Sequence, residues 1–204
     1  MRLINLEVSA ITTDLTALTN KINELLSEKP QVIIAIDGNC TAGKTTLAAH
    51  LGNIYNCNIF HMDDFFLTPP LITKERLSTP GGNIDYERFR DEVLLPLASC
   101  KTFNYKPYDC HSRALADSID IHPKPLNIVE GTYSMHPQLA GVYALSVFLH
   151  VEPDLQRARI LERDSSLHEN FFQKWIPMEE LYFKKCRVKE RCGIFIDTLN
   201  LKER

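Results

Sequence analysis

Residues 38–45 read Gly-Asn-Cys-Thr-Ala-Gly-Lys-Thr, and this stretch decides the fold because it matches the whole phosphate-binding pattern G-x-x-x-x-G-K-[ST]. The preceding residues 31–37, Gln-Val-Ile-Ile-Ala-Ile-Asp, are apolar and β-branched, which is typical of a buried parallel strand. The following residues 46–51 predict the first turns of a helix. A strand, a glycine-containing loop and a helix in this order place backbone N–H groups and a helix N-terminus around an anion.

The loop predicts that the chain binds a nucleoside triphosphate, with ATP and Mg²⁺ as its cofactors. Glycines at both ends of the loop let the backbone curl, so that its N–H groups face inward. Lys44 is placed to reach the β- and γ-phosphates, and the hydroxyl of Thr45 is placed to ligate Mg²⁺. A chance match in a surface loop is the alternative, and the flanking strand and helix argue against it. The residues assigned to nucleotide binding are Gly38, Asn39, Cys40, Thr41, Ala42, Gly43, Lys44, Thr45 and Thr46.

Composition restricts the partners that this chain can have. Its 204 residues suit one domain with a substantial core. A formal net charge of −3 argues against a nucleic-acid-binding surface, and no apolar run has the length of a membrane span. An early acid and the lack of a long apolar core at the N-terminus predict no signal peptide. Six cysteines without a C-x-x-C pair indicate reduced thiols and a cytoplasmic protein. Oligomeric state does not follow from these features.

Hydrophobic periodicity predicts an α/β architecture. Short apolar runs predict strands at residues 31–37, 57–62, 126–130, 145–151 and 194–197. Helices are predicted at residues 44–53, 86–98, 153–164 and 177–190. This alternation indicates a P-loop NTPase-type fold, in which a mainly parallel sheet has helices on both faces. Residues 64–83 are rich in Thr, Pro and Gly and predict a long loop.

A further helix is predicted before the first strand. Its apolar residues recur at spacings of four and three, which gives one apolar face that ends before Pro30. The residues of this face are Ile11, Leu15, Leu18, Ile22 and Leu25. We expect the helix to pack on the domain, and binding of a partner is the alternative.

Four of the five predicted strands end beside an acid. Asp63 follows the second strand and Glu130 ends the third, while Asp37 and Asp197 close the first and the last. The carboxyl ends of parallel strands converge on the nucleotide in this architecture. Phosphoryl transfer needs a carboxylate for Mg²⁺ and, for an alcohol acceptor, one that takes the hydroxyl proton. We expect Asp63 and Glu130 to serve this chemistry, and capping of a following turn is the alternative for both. Asp37 is expected to be structural, and Asp197 has no assigned role.

Six segments, in order along the chain, resemble the uridine kinase family, which includes uridine–cytidine kinases and the related phosphoribulokinase and pantothenate kinase branches. The segments are residues 38–46, 61–66 (His-Met-Asp-Asp-Phe-Phe), 83–86 (Asn-Ile-Asp-Tyr), 108–113 (Tyr-Asp-Cys-His-Ser-Arg), 128–131 (Ile-Val-Glu-Gly) and 159–164. Residues 175–183, Trp-Ile-Pro-Met-Glu-Glu-Leu-Tyr-Phe, are similar to bacterial members of this group. An ordered set of segments is more specific than the loop alone.

The resemblance implies an ATP-dependent small-molecule kinase and gives roles to individual residues. Asp63 matches the base that accepts the proton of the sugar hydroxyl, and Glu130 matches the acid close to Mg²⁺. Asp85 matches an acid that holds ribose hydroxyls. Arg159 and Arg163 lie where lid arginines of the family approach the transferring phosphate. Pairing with neighbouring acids on a helix is the alternative for both arginines.

The family's pyrimidine-contacting segment corresponds to Tyr108 and His111, with Arg113 beside them. The spacing between Tyr108 and His111 is shorter than in uridine–cytidine kinases. Packing of the loop is the alternative for Tyr108, and a solvated or capping role is the alternative for His111. The resemblance implies that a nucleoside, uridine or cytidine first, is phosphorylated at its 5′-hydroxyl. Pantothenate, ribulose phosphate and other nucleosides stay open as acceptors.

The same resemblance implies one kinase domain over residues 1–204. It has a helical extension at residues 1–30, a substrate-side insertion at 64–113 and a lid at about 159–177. A GTPase-like switch would need N-K-x-D after the loop, which the chain lacks. A motor or transporter ATPase would need an Asp-Glu pair at a strand end, where this chain has Glu130 followed by glycine. A P-loop NTPase without kinase activity is therefore the weaker alternative.

Overall fold

A parallel sheet forms the centre of the protein, whose computed structural model describes residues 4–163 and 167–198, with side chains from residue 15 onward. In order across the sheet, the strands are β2 (Cys57–His61), β7 (Leu126–Glu130), β1 (Val32–Gly38), β8 (Leu145–His150) and β9 (Ile194–Asp197), all parallel. The chain winds outward on both sides of the central strand β1, so the crevice at its carboxyl end is the expected ligand site. The predicted α/β fold with a mainly parallel sheet is confirmed.

Helices cover both faces of the sheet because alternate residues of β1 point in opposite directions. Three buried residues pack on one face with α1 (Ile4–Glu28) and α2 (Lys44–Ile54), and these residues are Val32, Ile34 and Ile36. On the other face, Ile33 and Ala35 pack in a second cluster with Phe89 and Tyr182. Every residue of β1 is buried, which explains why the strand reads as a continuous apolar run.

The N-terminal helix α1 ends at Glu28, before Pro30, as its apolar spacing predicts. Leu18, Ile22 and Leu25 are buried against α2 and the first face of the sheet. The side chain of Ile11 lies outside the described residues. Within the described part of the chain, no helix is both long and apolar enough to cross a membrane.

A continuous helical stretch packs on the second face of the sheet, and further helices follow later in the chain. The stretch consists of α4 (Tyr86–Phe89), a π-helical segment (Arg90–Leu94) and α5 (Leu95–Ala98). The later helices are α6 (Pro153–Leu161), α7 (His168–Asn170), a π-helical segment (Phe171–Trp175), α8 (Ile176–Lys185) and α9 (Val188–Arg191). Each π-helical segment comes just before a helix that carries proline near its start, because proline has no N–H to continue the regular ladder.

Three predicted segments differ from the structure by more than a residue at their ends. The helix predicted at 153–164 ends at Leu161, and the helix predicted at 177–190 is interrupted by Arg187, whose φ of +51° ends α8. The predicted loop at 64–83 is not irregular throughout. It contains the end of a 3₁₀ turn (Met62–Phe65), a second 3₁₀ turn (Pro69–Leu71) and the short helix α3 (Lys74–Ser78), which Thr73 caps.

Two small antiparallel pairs, which the sequence analysis did not predict, follow α5. The first joins β3 (Phe103–Tyr105) to β6 (Ile119–Ile121), and the second joins β4 (Tyr108–Asp109) to β5 (Ala114–Leu115). Strands of two or three residues carry too few side chains to show a hydrophobic period. The inner hairpin β4–β5 lies against the turn Met62–Phe65, which brings it to the carboxyl edge of the sheet.

The side chain of Asp37 is fully buried beneath the loop. Its carboxylate accepts hydrogen bonds from the backbone N–H groups of Gly38, Tyr133 and Met135, at 2.7, 3.3 and 2.9 Å. The hydroxyl of Tyr182, in α8, donates a fourth at 2.7 Å. Burial raises the pKa of Asp37, and these hydrogen bonds oppose the rise. One carboxylate therefore joins the start of the loop to the turn after β7 and to α8, as its expected structural role requires.

We expect Tyr182→Phe to lower the free energy of unfolding by roughly 1–3 kcal/mol, because a buried carboxylate loses one of its donors. Tyr143→Phe is the matched control. Its hydroxyl is buried and, among the described residues, has no hydrogen-bond partner, so this variant should stay close to wild type. Urea unfolding followed by circular dichroism measures both variants. Equal losses in the two would show that the bond from Tyr182 to Asp37 contributes nothing of its own.

Candidate active site

The loop between β1 and α2 turns sharply at two glycines. Gly38 has φ +143°, and a Cβ at this position would lie 2.1 Å from the carbonyl oxygen of Leu149 on the neighbouring strand. Gly43 has φ +90° and would place a Cβ in open space, with nothing within 4 Å. Gly38 is therefore required for close packing of the loop on β8, and Gly43 for its left-handed turn into α2.

Lys44 lies across the loop that precedes it. Its ammonium group donates to the carbonyl oxygens of Gly38 and Asn39, both at 2.8 Å. These bonds hold a positive charge beside the backbone N–H groups at the start of α2, which together make a site for phosphate. The Cys40 thiol takes no part as an anion, since burial, with a contribution from Glu179, raises its pKa to about 11. This agrees with a loop that binds through its backbone.

Thr45 and Glu130 come together next to this site. The Thr45 hydroxyl donates to Glu130 Oε1 at 3.1 Å, and His61 Nδ1 lies 2.6 Å from the same oxygen. The hydrogen bond to the Glu130 carboxylate raises the pKa of His61. His61 lies beside Glu130 because the two residues are register partners at the ends of the parallel strands β2 and β7. A hydroxyl and a carboxylate oxygen are ligands that Mg²⁺ prefers, so these residues fit the ion.

Asp63 lies in the turn Met62–Phe65 that follows β2, within electrostatic range of Lys44. Its side chain reaches solvent, but the surrounding protein partly desolvates the carboxyl and raises its pKa. The charge of Lys44 lowers the pKa of Asp63, and the charge of Glu130 raises it further. Asp63 therefore lies within electrostatic range of both groups. Asp64, the next residue, points elsewhere: its carboxylate accepts from the Tyr105 hydroxyl at 2.9 Å. A carboxylate with a raised pKa is a good proton acceptor for neutral-pH chemistry.

The predicted substrate-side residues lie on the hairpin β4–β5 and at the start of α4. Tyr108 is half-buried in β4, whereas His111 and Arg113 are exposed in the turn. β4 contacts the turn Met62–Phe65, which carries Asp63, and the charge of Asp63 contributes to the raised pKa of Cys110. The carboxylate of Asp109 fixes the turn by accepting the backbone N–H of His111 at 2.9 Å. The structure thus brings this segment next to Asp63.

Asp85 is buried at the N-terminus of α4 and caps it. One carboxylate oxygen accepts the backbone N–H of Arg88 at 3.0 Å, and the other lies 3.8 Å from Arg88 Nε. The backbone N–H of Asp85 bonds to the carbonyl of Phe65 at 2.7 Å, and Arg88 also donates to the carbonyl of Asp64 at 2.7 Å. Asp85 is therefore tied to the same turn that carries Asp63, and capping is its visible structural role.

The two predicted lid arginines lie beside the phosphate-binding loop, one in α6 and the other just after this helix. Arg159, in α6, donates to the carbonyl oxygen of Thr41 at 3.0 Å. Arg163 lies close enough to Cys40 to oppose the rise in the pKa of the thiol. Part of the predicted lid, residues 164–166, lies outside the described residues. Both guanidinium groups approach the phosphate-binding loop, which is compatible with a contact to phosphate.

Glu179 and Glu180, in α8, contact the loop and were not predicted as site residues. Glu179 is buried, accepts the backbone N–H of Cys40 at 2.9 Å and receives the Gln156 amide at 2.8 Å. Glu180 accepts from the Asn39 amide at 3.2 Å. Burial raises the pKa of Glu179 to about 7. The spacing of Glu179 and Tyr182 could have identified this contact. The two residues are three positions apart in α8 and so lie on the same face of the helix. Tyr182 binds Asp37 at the loop, so Glu179 faces the loop as well.

Solved structures share this fold. A possible uridine kinase from Bacillus stearothermophilus has a TM-score of 0.63 and 16% identity, covering 89% of this chain and 100% of that chain. A D-glycerate 3-kinase from Cryptococcus neoformans has a TM-score of 0.58 and 13% identity, covering 90% and 95%. A phosphoribulokinase from Rhodobacter spheroides has a TM-score of 0.51 and 12% identity, covering 84% and 73%. No family model and no curated protein matches the chain. At these identities the comparisons confirm the resemblance to such P-loop kinases at the level of the fold.

We expect the pH dependence of stability to carry a contribution from Glu179. Its pKa rises from an ordinary 4.5 to about 7 on folding, so the native state binds more protons than the unfolded chain between these values. Stability should therefore fall as pH rises through this window. Glu179→Gln removes the titrating group, and its melting temperature should fall less than that of wild type between about pH 5 and pH 8.

Glu180→Gln is the matched control, because Glu180 is the adjacent, exposed acid on the same helix. Its melting temperature should follow the wild-type pH profile. Thermal unfolding of the three proteins in one series of buffers makes the comparison. Parallel profiles for wild type and Glu179→Gln would contradict a proton bound by Glu179 in the native state.

Proposed function

We propose that this protein is an ATP-dependent phosphotransferase that phosphorylates the hydroxyl of a small molecule. The observation that carries the proposal is the position of Asp63, a partly desolvated carboxylate in electrostatic range of both Lys44 and Glu130. A nucleotide-binding switch needs only the loop and a metal ligand. A second carboxylate, within electrostatic range of the same lysine and the same metal-ligand acid, is what transfer to an alcohol requires.

Binding of the nucleotide is assigned to the loop and its flanks. Backbone N–H groups at the start of α2 and the ammonium of Lys44 would hold the β- and γ-phosphates, after Lys44 exchanges its bonds to carbonyl oxygens for bonds to phosphate. Thr45 and Glu130 would hold Mg²⁺, which neutralises phosphate charge when bound. Arg159 and Arg163 approach from the side of α6 and would add positive charge near the transferred group.

Asp63 would orient the acceptor hydroxyl and take its proton. The hydroxyl oxygen forms a bond to the γ-phosphorus, and the bond from that phosphorus to the bridging oxygen breaks. The proton passes to the Asp63 carboxylate, and the electron pair leaves with ADP. The raised pKa of Asp63 favours this transfer, and the charge of nearby Lys44 opposes the rise.

For the acceptor we propose a nucleoside, uridine or cytidine first, phosphorylated at its 5′-hydroxyl. Support comes from the placement of three elements around Asp63: the cap of α4 with Asp85, the hairpin with Tyr108 and His111, and the loop. Asp85 would hold the ribose hydroxyls, and the hairpin would contact the ring. Arg113 is exposed beside it in the same turn.

A panel of acceptors with ATP tests the proposal through the release of ADP. The panel contains uridine, cytidine, pantothenate, ribulose phosphate and D-glycerate, with ATP alone as the control. We expect uridine or cytidine to stimulate ADP release most. Stimulation only by another acceptor would overturn the nucleoside assignment and keep the kinase. ADP release that no acceptor changes would favour a P-loop NTPase without kinase activity.

Asp63→Asn should lose turnover far more than affinity for ATP. Removal of a general base costs on the order of 10²–10⁴ in rate, because the hydroxyl then keeps its proton as it attacks. Asp64→Asn is the matched control, since an amide oxygen can still accept from the Tyr105 hydroxyl, and its effect should be mild. Steady-state kcat and a separate titration of ATP binding measure both properties. A collapse of ATP binding in Asp63→Asn would identify the residue as a metal ligand instead.

If the acceptor is a nucleoside, 2′-deoxyuridine should be a poorer substrate than uridine. Loss of one hydroxyl leaves a buried acceptor of Asp85 unpaired, which costs roughly 1–3 kcal/mol, or about 5- to 150-fold in kcat/KM. Asp85→Asn should reduce this difference, because it keeps an oxygen for the Arg88 N–H and weakens the contact to the diol. The same ratio of kcat/KM values in wild type and variant would remove Asp85 from ribose recognition.

A further inference from the structure

Three potential metal ligands lie close together at the carboxyl ends of β8 and β9. These two strands lie on one side of β1, whereas β2, which leads to Asp63, lies on the other side. They are His150 at the end of β8, Glu152 just before α6, and Asp197 at the end of β9. Each offers one ligand atom, and these atoms all lie within 4.8 Å of one another. The proposed kinase chemistry uses none of the three. They therefore need an explanation of their own.

The spacing of the group fits a small divalent cation. His150 Nε2 lies 3.4 Å from Glu152 Oε1. Tetrahedral zinc with bonds of about 2.0–2.2 Å to nitrogen and oxygen keeps neighbouring ligand atoms about 3.3–3.5 Å apart. The separation in the structure is thus close to the one that a shared ion would impose. Asp197 is half-buried, and a carboxylate has two oxygens, so it can ligate an ion while keeping another interaction.

A residue outside the group orients its histidine. The other ring nitrogen, His150 Nδ1, lies 3.2 Å from the amide oxygen of Asn39, which can only accept a hydrogen bond. The Asn39 amide is itself held, because its nitrogen donates to Glu180 at 3.2 Å. A proton on Nδ1 therefore bonds to Asn39, and Nε2, which lies against Glu152, is the nitrogen left to ligate an ion when it carries no proton. Metal-ligating histidines are oriented in this way by a partner on their second nitrogen.

We propose that His150, Glu152 and Asp197 bind a divalent transition metal of the zinc type, with water in the fourth position. One histidine and two carboxylates form a nitrogen–oxygen set that suits such an ion. The ion would connect the end of edge strand β9 to β8 and to the start of α6. Through His150 it would also steady Asn39 in the phosphate-binding loop. The site is independent of the proposed kinase activity.

Calorimetric titration of the full chain with Zn²⁺, in excess Mg²⁺ and without nucleotide, tests the site. We expect one zinc ion per chain, and His150→Ala or Asp197→Asn should weaken its binding by roughly tenfold or more. His50→Ala is the matched control, because His50 is an exposed histidine in α2 and should leave zinc binding unchanged. Zinc should also raise the melting temperature of wild type and of His50→Ala, but not of His150→Ala.

A spectrum of the wild-type protein with Co²⁺ distinguishes this site from binding by thiols. Tetrahedral nitrogen and oxygen ligands should give visible d–d bands without the intense thiolate charge-transfer absorption of cysteine ligands. Exposed Cys100 and Cys110 are the competing ligands that such absorption would reveal. Unchanged zinc affinity in both His150→Ala and Asp197→Asn, or a thiolate spectrum, would overturn the proposal. The Co²⁺ spectrum needs no variant, so it decides the question even if a substitution impairs folding.

Discussion

The buried carboxylate of Asp37 is the constraint on which the site depends. It accepts four hydrogen bonds, which come from the first residue of the loop, from the turn after β7 and from Tyr182 in α8. A charge this deep is tolerated only when its hydrogen bonds are satisfied, so these three parts of the chain must meet at one point. The same meeting places Glu130 beside the loop and holds Tyr133 at φ +80°, a backbone conformation that non-glycine residues rarely adopt.

The sheet and the loop could be predicted from the sequence because their signals are local. A buried parallel strand reads as an apolar run, as β1 does, and the loop needs glycine at Gly38, where a Cβ would meet a neighbouring strand. The acids at the ends of β2 and β7 were found for the same reason. Parallel strands bring their carboxyl ends together, so Asp63 and Glu130 come within electrostatic range of each other although 67 positions separate them in the chain.

The contacts of α8 with the loop could not be predicted in the same way. Glu179 meets Cys40 across 139 positions, and the sequence gives no register for a helix that docks on a loop rather than on a strand. The hairpin β4–β5 has two residues in each strand, which is too short for a period. The break at Arg187 lacks the glycine that normally marks a left-handed helix end. Tertiary contacts, and not local pattern, determine these features.

The most direct measurement of the proposed chemistry is ATP turnover with an acceptor in the Lys44→Ala variant. Among the described residues, Lys44 bonds only to carbonyl oxygens of its own loop, and it stands where phosphate would bind. Phosphoryl transfer should be abolished, while thermal unfolding without nucleotide changes little and Lys185→Ala, an exposed lysine in α8, behaves as wild type. Retention of most of the kcat in Lys44→Ala would contradict the mechanism, because the loop would then take no part in the transfer.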